Sequence, residues 1–146
     1  MNRFETAQML SYVSEIDGRR VTEEAVNVWL DLLGGFEFGE VREAVIKHST
    51  ESTEFLKPAH VVKLVKTARR ERLNRVVALD VQVNALDDPR GPNATAAEFD
   101  QYSANRRAVS EAIATGRISR EQYNDYLSGS TPWAEYRSSV LGVIEA

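Results

Sequence analysis

The spacing of the apolar residues is the feature that most restricts the fold of this chain. Over most of its 146 residues, apolar side chains recur at three- and four-residue steps, as they do on one face of an α-helix. Glycines that can end a helix and hydroxyl residues that can cap one separate these stretches: Gly18, Gly34, Gly116, Thr22, Thr95 and Ser119. The pattern therefore predicts an all-α protein.

The predicted helices fall into two groups separated by a connector. The fourth helix begins at Pro58, since proline is favoured at the first helical position. Residues 76–86 alternate apolar and polar side chains but also fit helical spacing, and residues 87–93 have the composition of a turn. Because a lone strand lacks a partner, we expect the fourth helix to continue after residue 75 and to fray into an extended connector. The predicted organisation is a four-helix unit with a long basic fourth helix at 1–75, a connector at 76–94 and a small C-terminal helical unit at 95–146.

The same spacing assigns aromatic and aliphatic side chains to the core. Trp29 lies on the apolar stripe of the second helix, and we expect it to be buried. The stripe of the first helix contains Phe4, Ala7, Leu10 and Ile16, with Tyr12 and Val13. Phe99 and Tyr102 are expected to point inward from the fifth helix.

The residue types and motifs that are missing argue against catalysis. The chain has no cysteine, which excludes disulfides, thiolate zinc sites and cysteine nucleophiles. It contains no phosphate-binding loop, dinucleotide fingerprint, nucleophile elbow or His-Glu-x-x-His sequence. His48 and Glu51 can share a helix face, but two ligands without a third do not form a zinc site, so we expect a partly buried histidine near a helix end. We expect no enzyme activity, no cofactor, no metal and no small-molecule substrate.

The hydropathy of the chain bears on where it works. It has no run of about 18 apolar residues, and its first ten residues lack the apolar stretch of a signal peptide. We therefore expect no membrane partner and a cytoplasmic location.

Charge is distributed unevenly along the chain. The net charge is −4, yet residues 57–75 carry seven basic side chains against one acidic side chain, and residues 1–56 carry five against eleven. Six cations of the basic stretch are candidates for binding a partner or a phosphate group: Lys63, Lys66, Arg69, Arg70, Arg72 and Arg75. A solvated helix face is the alternative interpretation. The run contains no aromatic residue, which argues against base stacking.

The apolar stripe of the fourth helix changes at Arg69. Val61 and Val65 lie on this stripe, which would continue at positions 72 and 75, but both of those positions are arginine. We therefore expect the second half of the helix to project into solvent or onto a partner.

A C-terminal aromatic pair is a second binding candidate. Trp133 and Tyr136 lie at roughly helical spacing after Thr131-Pro132, so they are possible anchors in the groove of a partner. The alternative is that they pack back on the fifth helix.

Four sequence stretches resemble a known family. These are Glu5-Thr-Ala-Gln-Met-Leu10, Val28-Trp-Leu-Asp-Leu-Leu33, Phe36-Glu-Phe-Gly-Glu-Val-Arg-Glu-Ala-Val45 and Phe55-Leu-Lys-Pro-Ala-His-Val61. In order and spacing they resemble the N-terminal helical domain of the phage loader-and-inhibitor of the replicative DNA helicase, over residues 4–72. Related small proteins occur in actinobacterial phages and prophages.

The resemblance implies a phage replication accessory protein that binds the hexameric helicase, holds it inactive and helps to deliver it to the origin. It also implies that five positions are scaffold rather than contact residues: Trp29, Phe38, Val41, Ala44 and Pro58. In the family the helicase-binding part lies in a flexible C-terminal region, whereas residues 95–146 of this chain carry caps and aromatic spacing typical of folded helices.

Three functional hypotheses follow. The first is a non-catalytic adaptor that binds the replicative helicase and controls its loading or activity. The second is a small DNA-binding or regulatory protein that uses the basic helix over 58–75. The third is a phage inhibitor of another host protein that acts through its C-terminal aromatic helix.

Overall fold

A computed structural model describes residues 1–77 and 80–129, and within these ranges the chain forms six α-helices and no strand. The helices are α1 (Arg3–Asp17), α2 (Glu23–Leu33), α3 (Phe38–Glu51), α4 (Pro58–Val76), α5 (Ala96–Ala114) and α6 (Arg120–Ser128). The all-α prediction is confirmed for this part of the chain. The chain divides into two compact units between Thr67 and Ala68, inside α4. The sequence had placed the end of the first unit at residue 75.

The first unit is built on α1, α2, α3 and the first half of α4. Its core contains Met9, Leu10, Val13, Val26, Trp29, Leu33, Val41, Ala44, Val45, Leu56, Val61 and Val65. Trp29 is only 6% exposed, which confirms its predicted place in the core. The N-terminal ammonium group donates to the carbonyl oxygens of Gly34 at 2.8 Å and Phe36 at 2.5 Å, so the start of the chain is tied to the α2–α3 turn.

The buried face of α1 differs from the predicted one. Leu10 and Val13 are buried as predicted, together with Met9, whereas Phe4 is 76% exposed and Ile16 is also exposed. Thr6 lies on the buried face as well. A polar side chain is tolerated there because its hydroxyl donates to the carbonyl oxygen of Asn2 at 2.8 Å and so stays hydrogen-bonded away from water. The apolar stripe is therefore rotated around the helix from its predicted position.

The predicted helix ends agree with the structure. Gly18 adopts the left-handed conformation with φ of 71° after α1, and Thr22 caps α2. Thr95 with Glu98 and Ser119 with Gln122 form capping boxes at the starts of α5 and α6. In each box the hydroxyl accepts from a backbone N–H that the helix leaves unpaired, which explains why these sequences start helices.

The second unit packs α5 and α6 against the second half of α4. Val109, Ala112, Ile113, Ile118, Tyr123, Tyr126 and Val81 form its core, and Leu73, Val76 and Val77 pack against them. The expectation that the second half of α4 projects into solvent is therefore wrong. The apolar contacts of this half come from Leu73 and Val76, which lie beside the arginines on which the prediction relied, and Val77 directly after the helix adds to them.

The segment predicted as a connector is part of the second unit. Helix α4 ends at Val76, and the described residues 80–94 are not helical, in line with the predicted loss of helix. Val81, Asn84 and Asp87 are nevertheless buried. The hydroxyl of Tyr123 accepts from the backbone N–H of Gln82 at 2.8 Å, so α6 hydrogen-bonds this segment to the core.

The position of Phe99 on α5 also differs from the prediction. It is 53% exposed, whereas the sequence placed it in the core. It lies in the second turn of α5, before the stretch that packs on α6, and its ring centroid lies 5.9 Å from the guanidinium carbon of Arg90. Tyr102 is half-buried and lies under the same guanidinium at 3.3 Å.

Candidate binding surfaces

Three of the six predicted cations form an exposed row on α4. Lys63, Lys66 and Arg70 are all exposed, and their spacing of three and four residues places them within an arc of about 60°. Val61 and Val65 occupy the opposite, buried side of the helix. Within residues 1–77 and 80–129, none of the three cations makes an ion pair. We call this set the α4 cation row.

Arg69 and Arg72 have different surroundings, because each contacts α5. Arg69 is 19% exposed at its side chain and forms an ion pair with Glu111 at 3.1 Å. The Nε of Arg72 donates to the carbonyl oxygen of Ala114 at 2.6 Å. A cation at the last carbonyls of a helix satisfies an acceptor that the helix leaves open and complements its dipole. These two arginines therefore join α4 to α5 within the second unit.

The sequence contained a signal for this role. Position 72 continues the apolar stripe of α4, and an arginine can lay its aliphatic stem along apolar surface while its head reaches a polar partner. The stripe is thus not lost at Arg72. A long amphipathic side chain continues it.

Arg75, the sixth predicted cation, lines a cavity in the second unit. Its side chain is 77% exposed, and its terminal nitrogen lies 3.6 Å from Glu71. The cavity has a volume of about 480 Å³ and is lined by Arg72, Arg75, Val76, Ile113, Gly116, Ile118, Ser119 and Arg120. Sequence reasoning missed this cavity, since it depends on how the α5–α6 turn packs against α4.

An aromatic–arginine cluster lies in the first unit. The guanidinium carbon of Arg19 lies 5.2 Å from the ring centroid of Trp29 and 4.3 Å from that of Phe55, and its terminal nitrogen donates to the carbonyl oxygen of Leu56 at 2.6 Å. Arg19 also forms an ion pair with Asp17, and its hydrogen bonds lower the pKa of the Asp17 carboxyl. The cluster joins the α1–α2 loop to the loop before α4. Every group in it already has a partner, which favours a structural role.

The two histidines stack on each other in the first unit. The rings of His48 and His60 have centroids 4.7 Å apart, and His48 Nε2 lies 2.9 Å from the carbonyl oxygen of Glu54. His48 is buried in the last turn of α3, as predicted. Among the described residues, no group of three or more metal-ligating side chains comes together.

A buried polar network occupies the second unit, and nothing in the sequence pattern indicated it. Tyr126 donates its hydroxyl proton to Asp87 at 2.9 Å and accepts from the backbone N–H of Asn84 at 3.2 Å. Asn105 donates to the carbonyl oxygen of Asp87 at 2.7 Å. Burial raises the pKa of the Tyr126 hydroxyl, so it remains a donor at neutral pH.

Trp133 and Tyr136, the predicted groove anchors, lie outside the described residues. The described helices include none that is long and apolar enough to cross a membrane.

Comparisons with models of known protein families, with curated proteins and with solved structures find no match to this chain.

Proposed function

We propose that this protein is a non-catalytic accessory protein of phage DNA replication, which binds the replicative helicase and controls its loading or activity. The choice of partner rests on the resemblance of residues 4–72 to the helicase loader family. The observation that supports a docking role is the α4 cation row, because Lys63, Lys66 and Arg70 are exposed together and make no ion pair among the described residues.

The composition of the α4 surface favours a protein partner. Helix α4 contains no Phe, Tyr or Trp on which a base could stack, and the ring of its His60 is already stacked on His48. Three cations on one face match an acidic protein surface. Charges of this kind guide encounter and orientation, and apolar contacts then supply much of the affinity. We therefore expect the row to dock on an acidic patch of the helicase, in the cytoplasm of the host.

The test uses the full chain and the purified replicative helicase. Wild-type protein is expected to co-elute with the helicase on a sizing column and to change its ATPase or unwinding rate. The variant K63E/K66E/R70E reverses the row and is expected to weaken binding by at least about tenfold, since like charges then face each other.

The matched control is R20E/R42E/K47E. It reverses three exposed cations of the first unit that lie outside α4, so its net charge equals that of the first variant. We expect it to bind the helicase within about threefold of wild type. The proposal fails if wild-type protein neither co-elutes with the helicase nor alters its activity. The assignment of the row fails if both variants bind equally well.

Non-specific binding to nucleic acid is the second candidate function, and the same exposed row favours it. Three cations that neutralise three phosphates give a slope of log affinity against log salt of about −2 to −3. Absent binding, or binding that does not depend on salt, contradicts this candidate. Removing the residues after Gly91 would not test the two functions separately, because Val81 and Gln82 before it contact α5 and α6, and the second unit would lose its core.

A further inference from the structure

A cavity of the first unit lies at the C-terminal ends of α1 and α3, beside the loop that leads to α4. Its volume is about 300 Å³. Val13 and Leu56 line it and are buried, whereas Ile16 and Phe55 line it and are about half exposed. Apolar side chains therefore reach from the interior of the cavity to its mouth. Tyr12, one turn before Ile16 on α1, is 43% exposed and extends this apolar surface beyond the mouth.

The ring of Phe55 is held in place although it is exposed. The guanidinium carbon of Arg19 lies 4.3 Å from the ring centroid. Arg19 is itself fixed by its ion pair with Asp17 and by a hydrogen bond to a backbone carbonyl of the same loop. The loop is also fixed at Glu54, whose carbonyl oxygen lies 2.9 Å from Nε2 of the buried His48. Apolar surface that is fixed in advance loses little conformational freedom when a ligand covers it.

The charge at the cavity is acidic. Of the described residues that line it, Asp17 and Glu54 carry carboxylates and none is a lysine or an arginine. The Asp17 carboxylate is taken up by Arg19. The Glu54 side chain is 76% exposed, and its carboxylate lies 3.9 Å from Nε2 of His60, at the outer limit of an ion pair. Residues 1–56 carry eleven acidic side chains against five basic ones, so the surroundings also favour an occupant with positive charge.

We infer that this cavity receives a large apolar side chain of a partner peptide, and that a lysine or arginine next to it in the peptide pairs with Glu54. The volume is at the lower limit of small-molecule sites, about 300–1,000 Å³, and so suits an occupant of side-chain size. A peptide fits this surface better than a free small molecule, because Tyr12 and Ile16 continue the apolar surface outside the cavity. An apolar centre with a charged pair at the rim is a common arrangement in protein interfaces.

The experiment titrates full-length protein with three acetylated and amidated pentapeptides and follows amide NMR shifts. The peptide Lys-Leu-Lys-Leu-Lys is expected to give saturable shifts at residues 13–17 and 48–56. Glu-Leu-Glu-Leu-Glu reverses its charge and Lys-Ser-Lys-Ser-Lys removes its apolar side chains, and we expect each to bind at least about tenfold more weakly. Equal binding of the serine peptide would overturn the inference, because charge alone would then explain the affinity. The inference also fails if the leucine–lysine peptide does not saturate these shifts below about 10 mM.

The variant I16S/E54Q removes one apolar side chain and the free carboxylate from the mouth, and it is expected to bind the leucine–lysine peptide about tenfold or more weakly. The matched control V28S/E43Q removes an exposed β-branched side chain and an exposed carboxylate that do not line the cavity. We expect the control to bind within about twofold of wild type. All four positions are exposed, so both variants are expected to fold.

Wild-type affinity in I16S/E54Q, or an equal loss in V28S/E43Q, would contradict the assignment of the cavity. The inference does not rest on helicase binding, because no member of the α4 cation row lines this cavity. A protein that fails to bind the helicase can therefore still bind the peptide, and the two tests fail separately.

Discussion

The hydroxyl of Tyr126 donates to the carboxylate of Asp87 at 2.9 Å in the interior of the second unit. This bond joins α6 to the segment that follows α4, and it places a tyrosine where its hydroxyl serves as donor and acceptor at once. A buried polar pair is costly when half of it is removed, because the remaining group loses a hydrogen bond that water does not readily replace.

Tyr126→Phe is therefore expected to destabilise the second unit by about 1–3 kcal/mol. The ring stays in place, so little packing is lost, but the Asp87 carboxylate and the Asn84 N–H lose the hydroxyl they share. Urea unfolding followed by circular dichroism measures the change, and amide exchange at residues 80–129 locates it. Tyr12→Phe is the control, because Tyr12 is exposed on α1. Equal effects of the two substitutions would show that the buried hydroxyl contributes nothing.

The pair of Asp17 and Arg19 predicts a pH dependence for the first unit. Hydrogen bonds from Arg19 lower the pKa of Asp17 below its ordinary value of 3.8 in the folded state. The contribution of the carboxylate is thus fully present above pH 3.8 and is lost as the pH falls through the lowered pKa. At neutral pH we expect Asp17→Asn to cost about 1–2 kcal/mol.

That difference between Asp17→Asn and wild type is expected to shrink as the pH falls through the lowered pKa of Asp17, since the carboxyl then becomes neutral like the amide. Urea unfolding at several pH values, followed by Trp29 fluorescence in a Trp133→Phe background, measures it. Asp31→Asn removes an exposed carboxylate of α2 and serves as the control. A cost for Asp17→Asn that does not fall as the Asp17 carboxyl is protonated would contradict the assignment.

Asp88 and Arg90 predict a directly measurable pKa. The hydrogen bond from the Arg90 side chain lowers the pKa of the Asp88 carboxyl to about 2. In Arg90→Gln we expect this pKa to return towards its ordinary value of 3.8, because the guanidinium is gone. NMR titration of the Asp88 carboxyl carbon gives both values. An unchanged pKa in the variant would mean that the ion pair does not persist in solution.

Gly116 provides a test of the α5–α6 turn. Its φ of 75° strains any other residue, so Gly116→Ala is expected to destabilise the second unit by about 1–2 kcal/mol. Gly35→Ala is the control, because an added Cβ meets nothing within 4 Å there and no left-handed φ is required. Thermal unfolding of both variants measures the difference. Similar melting temperatures for the two variants would show that the turn relaxes.

The local features of the fold could be predicted from the sequence because they depend on neighbouring residues. The capping boxes at Thr95 and Ser119 and the stop at Gly18 involve contacts within about four positions, so spacing alone indicates them. The network around Tyr126 could not be predicted in this way. Its partners Asn84 and Asp87 lie about forty residues away, and only the packed unit brings them together.

The candidate site was predicted in part. Exposure of Lys63, Lys66 and Arg70 follows from their position opposite an apolar stripe, which is a property of one helix. The fates of Arg69 and Arg72 depend on α5, about forty residues further on. A charge count along one segment does not reveal such partners. The sequence therefore predicted six equivalent cations, whereas the structure places them in several different environments.

Helix α4 supplies Val61 and Val65 to one core and Leu73 and Val76 to the edge of the other. Any attempt to express the halves of this protein separately must therefore duplicate Pro58–Val76 in both fragments. A fragment that ends at Lys57 lacks Val61 and Val65, so the first core is incomplete. A fragment that begins at Val77 lacks Leu73 and Val76, so apolar side chains of the second core become exposed and favour aggregation.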